Sequence, residues 1–359
     1  MQFTRFRPIH SMIVFAIVAA LFTADASRLS PPRVKAAGPA RIPLAPSGTT
    51  YNVSTVAELL NAVDLVNAGS GGDTIVLAPG TYLLPPGSLL WIFISDDVTF
   101  QGDTTSPTII DGGGGDILRT FSASITVRNI TFQNGLTAIT FDSPGVFTAE
   151  GITITGSSTA FNGGDSGGSS SFTNSTIANN SGGIGMGCAS LTLTNVTVSD
   201  NQIGLSFSSC GDEMRITNSL IVRNTLKDCN KDNRAITPIG DASMDSDGTC
   251  VAMGFGPGMI TQTVPSLVLG LLANNGGPTF TESISTPSVA INTGDNAACP
   301  ATDQRGFPRA DGSCDVGAFE AVPVLVLPLL KSQCMNGGWQ SYPRFKTQGD
   351  CIQFVNTGK

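Results

Sequence analysis

The chain has 359 residues, of which 42 are glycine and only 13% are Asp, Glu, Lys or Arg. This charged fraction is about half of the usual value for a soluble domain, which excludes a coiled coil, a helical array and a basic nucleic-acid-binding domain. The net charge of −8 also disfavours contact with nucleic acid or with an anionic membrane surface.

Residues 1–26 have the pattern of a secretory signal peptide. Arg5 and Arg7 precede an apolar stretch at 12–22, and a small-residue cleavage site follows at 24–26. An uncleaved membrane anchor is the alternative, but it needs about 18 to 20 apolar residues. We therefore expect a secreted, extracellular or cell-surface protein whose mature chain does not span the membrane. Cleavage would remove His10, the only histidine, and with it any imidazole base or metal ligand.

The next segments predict a linker and then a capping helix. Residues 27–50 contain five prolines and no periodicity, which is typical of a linker. Within 51–72, the helical spacing of Val56, Leu59 and Val63 predicts an amphipathic helix with Ser54 or Thr55 as its N-cap. A solenoid needs a cover over its open end, and we assign this helix to that role.

A repeated strand pattern predicts the fold. It recurs at intervals of 22, 23, 21 and 23 residues, starting at Asn129, Gly151, Asn174, Asn195 and Asn218. One short strand per unit at this period indicates a solenoid, and the unit is too short for a leucine-rich repeat with helices. Alternation predicts an interior stack of Phe132, Ile154, Ile177, Val198 and Ile221 and an outward ladder of Thr131, Thr153, Thr176 and Thr197. We predict an all-β, right-handed parallel β-helix over 51–320.

The repeat begins at Asn or Gly, residue types that tolerate a left-handed backbone at a turn. Asn-x-Ser/Thr sequences, the form of glycosylation acceptors, begin at Asn52, Asn129, Asn174, Asn179 and Asn195. Three of the five fall on the repeat, which favours a structural ladder of turn asparagines over glycosylation.

The eight cysteines all lie in the second half of the chain, and behind a secretory signal an even number indicates disulfides. No Cys-x-x-Cys sequence occurs, which disfavours a zinc site. Of the many pairings, the simplest is the sequential one, Cys188–Cys210, Cys229–Cys250, Cys299–Cys314 and Cys334–Cys351. Cys188 and Cys210 occupy nearly equivalent places on adjacent coils, within disulfide reach.

This organisation resembles the pectin lyase-like right-handed β-helix proteins, through the helix in 51–72 and the segments 72–82 and 109–112. The segments 271–279, 288–294, 303–309 and 314–320 are similar to the C-terminal signature of bacterial choice-of-anchor Q domain proteins, placed here at 267–320. That resemblance implies a secreted or surface β-helix and transfers no catalytic residue. After a linker at 321–331, residues 332–359 resemble a small tail module, which a Cys334–Cys351 disulfide would stabilise.

An enzyme acting on polysaccharides, either a lyase or a glycoside hydrolase, is the catalytic alternative, although fold alone is only analogy. A hydrolase needs two carboxylates about 5 to 10 Å apart, and the candidate pair is Asp200 with Asp212 or Glu213. A lyase needs a basic side chain near a uronate carboxylate, and the candidates are Arg119, Arg128, Arg215 and Arg223. The motifs of polygalacturonases and pectate lyases are absent from the sequence.

Asp241, Asp245 and Asp247 offer the oxygen ligands that calcium prefers. The EF-hand spacing is incomplete, and turn formation beside a disulfide explains these residues as well. We expect no cofactor, with calcium as the one alternative.

Two further sets of residues have structural explanations. Asp303 and Arg305 with Glu320 fit a buried ion pair that closes the last coil. Trp91 and Trp339 could stack on sugar rings, but packing in the core or in the tail module is the simpler assignment.

The sequence therefore predicts a β-helix that binds and does not catalyse. The expected partner is an extracellular polysaccharide or another surface component, held along one flank of the solenoid. Nucleic acid is not an expected partner, and we expect a monomer.

Overall fold

The computed structural model describes residues 48–69, 71–92, 97–121, 123–208, 212–232, 236–309, 312–321, 328–341 and 345–358. The predicted signal peptide and nearly all of the predicted linker at 27–50 lie outside these ranges. None of the helices in the described ranges is both long enough and apolar enough to cross a membrane.

Short strands make up most of the chain. In order they are β1 (Thr50–Val53), β2 (Asp73–Leu77), β3 (Gly80–Leu83), β4 (Leu90–Ile92), β5 (Val98–Gln101), β6 (Thr108–Asp111), β7 (Leu118–Thr120), β8 (Ile125–Arg128), β9 (Thr131–Gln133), β10 (Thr137–Phe141), β11 (Val146–Glu150), β12 (Thr153–Thr155), β13 (Thr159–Gly163), β14 (Ser169–Ala178), β15 (Gly182–Met186), β16 (Ser190–Ser199), β17 (Ile203–Phe207), β18 (Glu213–Thr217), β19 (Leu220–Val222), β20 (Lys227–Lys231), β21 (Thr237–Asp241), β22 (Ser243–Asp245), β23 (Met259–Thr261), β24 (Leu269–Ala273) and β25 (Thr281–Ile284). The α-helices are α1 (Val56–Ala68), α2 (Lys331–Cys334) and α3 (Gln348–Thr357), and helical turns of other types lie at Val251–Phe255, Val264–Ser266 and Gly338–Ser341.

The strands wind into a parallel β-helix with three faces, which confirms the predicted fold class. A 16-stranded sheet supplies two faces and a 7-stranded sheet supplies the third. The first face comprises β1, β2, β5, β8, β11, β18, β21 and the leading halves of β14 and β16. The second comprises β3, β6, β9, β12, β19, β22, β23 and the trailing halves of β14 and β16. The third comprises β4, β7, β10, β13, β15, β17 and β20.

Helix α1 packs against the N-terminal part of the core. Thr55 is its N-cap, and Thr55 and Glu58 form a reciprocal capping box. Leu59, Val63 and Val66 are buried in the same apolar cluster as the interior residues of the first coils. Strand β1, which the apolar spacing does not predict, precedes the helix and pairs with β2.

The interior of the second face has the predicted register. Each member of the predicted stack pairs with the next and is fully buried, namely Phe132, Ile154, Ile177, Val198 and Ile221. Each of the five residues that open the repeat has the expected left-handed backbone, with φ between 46° and 65°, at Asn129, Gly151, Asn174, Asn195 and Asn218. The first and second faces meet at this turn.

The four threonines of the predicted outward ladder do point outward, but they are not exposed to solvent. Thr131, Thr153, Thr176 and Thr197 point away from the interior, yet each is at most 1% exposed. For Thr153, Thr176 and Thr197 the cause is a segment we call the strap, residues 267–309 and 312–321, which lies across the second face and bonds to all three hydroxyl groups. The strap adds no coil to the solenoid, since β24 and β25 form a separate antiparallel pair.

Gln304 is the central polar contact between the strap and the second face. Its side-chain nitrogen lies 3.0 Å from Thr153 Oγ1 and from Phe280 O and 3.1 Å from Ile152 O. Thr176 Oγ1 donates to Gln304 Oε1 at 2.6 Å. One buried amide therefore satisfies hydroxyl and carbonyl groups on two coils and on the strap itself.

The strap approaches the second face so closely that it needs a glycine. Gly317 has a φ of 103°, and a Cβ there would lie 2.9 Å from Thr197 Oγ1 and 3.0 Å from Leu220 Cδ1. The neighbouring amide of Ala318 donates to Thr197 Oγ1 at 3.1 Å. Asn195 Nδ2 likewise donates to Gly317 O at 3.2 Å, so this asparagine is buried as a structural residue.

We expect Gln304→Leu to lower the free energy of unfolding by about 3 kcal/mol, because several buried polar groups would lose their partners. Equilibrium urea unfolding measures this loss, and limited proteolysis tests whether the strap is released. Gln202→Leu is the matched control, since Gln202 is exposed and its replacement should change stability by less than about 0.5 kcal/mol. Equal stability of the two variants would contradict this role of Gln304.

Candidate functional site

A second left-handed turn recurs on five successive coils, where the second face meets the third. Its residues are Asn134, Gly156, Asn179, Asp200 and Arg223, with φ between 54° and 67°. Asn, Asp and Gly suit this backbone, whereas a long side chain such as Arg is unusual there. At Arg223, therefore, the contacts of the side chain outweigh the cost of a left-handed backbone conformation.

The structure brings together two of the predicted catalytic candidates, Asp200 and Arg223, and adds Glu282, which the sequence does not single out. Arg223 Nη2 lies 2.5 Å from Asp200 Oδ2 and 3.1 Å from Glu282 Oε2. Its guanidinium also donates to the carbonyl oxygens of Leu269 and Gly270, at 2.8 and 3.3 Å. One arginine of the solenoid thus joins a solenoid carboxylate to a strap carboxylate and to strand β24.

Glu282 is buried, and its environment changes its acidity. Its side chain has no exposed area, and Ser199 Oγ donates to its Oε2 at 2.7 Å. Burial raises the pKa of Glu282 to about 7, although the nearby charge of Arg223 acts in the opposite direction. The group can therefore change its charge near neutral pH while it holds the strap.

The structure does not bring the other predicted carboxylates, Asp212 and Glu213, into this cluster with Asp200. Met214 pairs with Leu191, which places Glu213 level with the start of β16. Asp200 follows the other end of this ten-residue strand. Asp200 and Glu213 are therefore separated by about the length of β16, because the chain turns twice between these two residues.

Arg215 is also separate from Arg223. It lies on the first face, where its Nη2 contacts Glu213 Oε1 at 3.2 Å. Both side chains are about half exposed, at 43% and 52%, and an ion pair of this kind contributes at most about 1 kcal/mol. Arg128 forms a similar exposed pair with Glu150 at 3.1 Å.

The calcium candidates bond mainly to their own turn. Asp245 is fully buried, and its Oδ2 accepts from two backbone N–H groups of the following turn. Asp247 accepts from Thr249 and from the backbone N–H of Asp228, while Asp241 is exposed. Within the described ranges, no group of three or more His, Cys, Asp or Glu side chains could hold a metal ion.

Asp228 is the residue that organises this turn, and the sequence gives no sign of it. Its Oδ2 accepts from Ser246 N and Oγ, and its Oδ1 accepts from Asn224 Nδ2 at 2.9 Å. Asn224 continues a buried ladder in which Asn201 Nδ2 donates to Asn224 Oδ1. Burial raises the pKa of Asp228 above its ordinary value. The cluster connects coils and does not face a ligand.

Two arginine–carboxylate pairs stabilise the strap, and their partners differ from the prediction. Arg305 pairs with Asp303 at 2.6 Å, as expected, but it reaches only the backbone oxygen of Glu320. The carboxylate of Glu320 pairs instead with Arg309, at 2.6 Å. Arg309 also donates to Asn174 Oδ1 at 3.2 Å, so this arginine fastens the strap to the coil of β14 instead of closing the last coil.

The structure contains the disulfides Cys229–Cys250, Cys299–Cys314 and Cys334–Cys351, which are pairs of the sequential scheme. Cys188 is also disulfide-bonded, and its predicted partner, Cys210, lies outside the described residues. The Cys334–Cys351 bridge forms the core of a separate small unit, against which Trp339 packs.

The third face carries a continuous column of outward side chains, one from each strand. In register they are Trp91, Arg119, Thr140, Asn162, Gly185, Ser206 and Asn230. At about 4.8 Å per coil the column is about 29 Å long. All of its members except Thr140 are at least partly exposed, so an extended molecule can lie along it.

Two polar grooves border this column. One, of about 560 Å³, runs along the second left-handed turn and includes Asn179, Asp200 and Gln202. The other, of about 390 Å³, includes Asp142, Asp165 and several glycines. Gly164 leaves no room for a side chain, since a Cβ there would lie 2.3 Å from Asp142 Cγ. The third face is thus a shallow polar track with a groove on either side.

The cluster around Glu282 predicts an unusual pH dependence. The pKa of Glu282 is about 7 in the folded chain and near 4.3 in an unfolded one. The folded chain then binds more protons between these values, so the free energy of unfolding falls as pH rises through this range, by on the order of 2–3 kcal/mol.

Glu282→Gln should remove that fall, because the amide stays neutral. Urea unfolding at pH 5 and pH 8 measures the difference, with Glu213→Gln as the exposed control. Parallel profiles for the wild type and Glu282→Gln would show that Glu282 does not titrate in this range.

Comparison with known proteins bears on the fold. Residues 103–249 match the family model described as a right handed beta helix region. A solved structure described as pectate lyase Pel9A is similar at 15% identity and a TM-score of 0.41, covering 78% of this chain and 98% of that one. No curated protein matches. The matched residues extend from just before β6 to just beyond β22, and over them the sequence match and the observed coils agree on a right-handed parallel β-helix.

Proposed function

We propose that this protein is a secreted or cell-surface β-helix that binds an extracellular polysaccharide along its third face without cleaving it. The observation that carries the proposal is the open polar track, about 29 Å long, with a groove on either side. The second face offers no comparable continuous track, because the strap covers its middle coils at Thr153, Thr176 and Thr197. The disulfides support an extracellular location, where such bonds persist.

The chemistry of the track supports a sugar ligand. Asn162 and Ser206 present amide and hydroxyl groups, which can donate to and accept from sugar hydroxyls. Gly185 lies between them and has no side chain, so a sugar ring can approach the backbone there. Several weak polar contacts in series give useful affinity only to a ligand that repeats along the track.

Cleavage of polysaccharide, by a lyase or a hydrolase, is the second candidate function. The observation that favours it is the carboxylate of Glu282, with a pKa of about 7, beside Asp200 at the edge of a groove. A catalytic acid must contact its substrate, however, and the side chain of Glu282 is buried between the strap and the solenoid, where it contacts Arg223 and Ser199. The arrangement supports a fastening role better than a catalytic one.

The test is binding with and without turnover. The purified mature chain is incubated with neutral and uronic polysaccharides, with calcium or with a chelator, and both retention and new reducing or unsaturated ends are measured. We expect retention without new ends, unchanged by the chelator. Product formation that disappears in Glu282→Gln, Arg223→Ala or Arg215→Ala would contradict the proposal and establish an enzyme.

A double variant on the track tests the location of binding. Asn162→Ile with Ser206→Ile keeps strand-forming residues but removes the polar groups, and we expect at least about tenfold weaker binding. The control is Thr126→Ile with Thr192→Ile, the same change at outward positions of the first face. Equal affinities for the two double variants would place the ligand elsewhere.

A further inference from the structure

The column on the third face begins with Trp91, for which packing in the core is the simpler prediction from the sequence, and the ring of Phe121 lies beside it. Trp91 is 47% exposed and Phe121 is 41% exposed. Their ring centroids are 6.5 Å apart, and the ring planes meet at 77°. Large aromatic side chains normally bury most of their surface. Two of them in contact and nearly half exposed therefore form an exposed apolar patch, and the other residues of the column are polar or glycine.

This aromatic pair is held in place from several sides. Trp91 lies directly beside Arg119 on the next strand, and the guanidinium of Arg119 is 5.6 Å from the centre of the Phe121 ring. Asn67 at the end of α1 donates to the backbone oxygen of Trp91 at 2.6 Å. A site built on paired strands and braced by a helix needs little ordering when a ligand arrives.

We propose that Trp91, Phe121 and Arg119 form the anchoring subsite for a neutral glycan, whose chain then continues along the third face. The inference rests on the proposed function and names the ligand class and the anchor. The apolar C–H face of a sugar ring suits an aromatic surface, and its hydroxyl edge suits the polar residues that follow. Each coil advances by about 4.8 Å, close to the length of one sugar residue in an extended chain.

Charge on the track distinguishes neutral glycans from uronic ones. Asp142 and Asp165 line the groove beyond the aromatic pair, and their hydrogen bonds come from Ser166 Oγ and the backbone N–H of Cys188. Arg119 already contacts Asp116 at 3.8 Å. A polyuronate would bring further negative charges against these carboxylates, whereas neutral hydroxyls can donate to them.

The first experiment measures ligand binding by tryptophan fluorescence. The chain has two tryptophans, so Trp339→Phe leaves Trp91 as the one fluorescent indole. This variant is titrated with soluble mixed-linkage β-glucan, polygalacturonate and chitosan. We expect the β-glucan to change the emission of Trp91 and to bind at least about tenfold more tightly than polygalacturonate, which the carboxylates of the groove repel.

Affinity electrophoresis of Trp91→Ala and Phe121→Ala in β-glucan gels gives the second measurement. We expect at least about tenfold weaker retention than for Leu271→Ala, a control that removes an equally apolar side chain, 80% exposed, from the strap. Trp91→Phe should retain part of the affinity, because it keeps an aromatic face. Thermal unfolding of each variant confirms that it is folded.

The possible failures separate the two proposals. Binding of β-glucan that is unaffected by Trp91→Ala and Phe121→Ala overturns the anchor and leaves the proposed function standing. Tighter binding of polygalacturonate or chitosan overturns the neutral class. Absence of binding to all three polymers, with folded protein, overturns the inference and counts against the proposed function as well.

Discussion

The hydrogen-bonded seam between the strap and the second face determines which surface of this protein is open to a partner. A β-helix presents outward side chains on three faces, and here the strap covers the middle of the second, where it bonds to Thr153, Thr176 and Thr197. Gln304 bridges the threonines of successive coils, and Asn195 and Asn218 donate to strap carbonyl oxygens. Because these groups already have partners inside the molecule, the part of the second face that the strap covers is not open to a ligand. The exposed pair of Trp91 and Phe121 lies on the third.

The cluster of Arg223, Asp200 and Glu282 links this seam to the open track. Asp200 belongs to both, since it lines the larger groove and accepts from Arg223. A buried charge without a partner is costly. The strap is therefore stabilised in the position in which Glu282 contacts Arg223 and Ser199. The contact with Arg223 also holds Asp200 in place at the edge of the larger groove. Stability and the shape of the binding surface therefore depend on the same few contacts.

The sequence predicts the coils well and the strap poorly, for a physical reason. Short strands with one left-handed turn per repeat impose a period, and that period locates the interior position of Ile154 and the turn at Asn195. The strap has no period, so its partners cannot be read from spacing. Glu282 meets Ser199 across 83 residues and Arg223 across 59. The burial of Thr153 follows from the strap, and the exposure of Trp91 depends on which side of β4 faces outward.

The most direct test of this account is hydrogen-exchange footprinting of the full chain with and without saturating soluble β-glucan. The account predicts slower exchange along the third face, in peptides covering β4, β7, β10, β13 and β15, with no change in the strap or on the first face. Protection confined to the first face, or to the strap around residues 300–309, would contradict the claim that the third face is the binding surface.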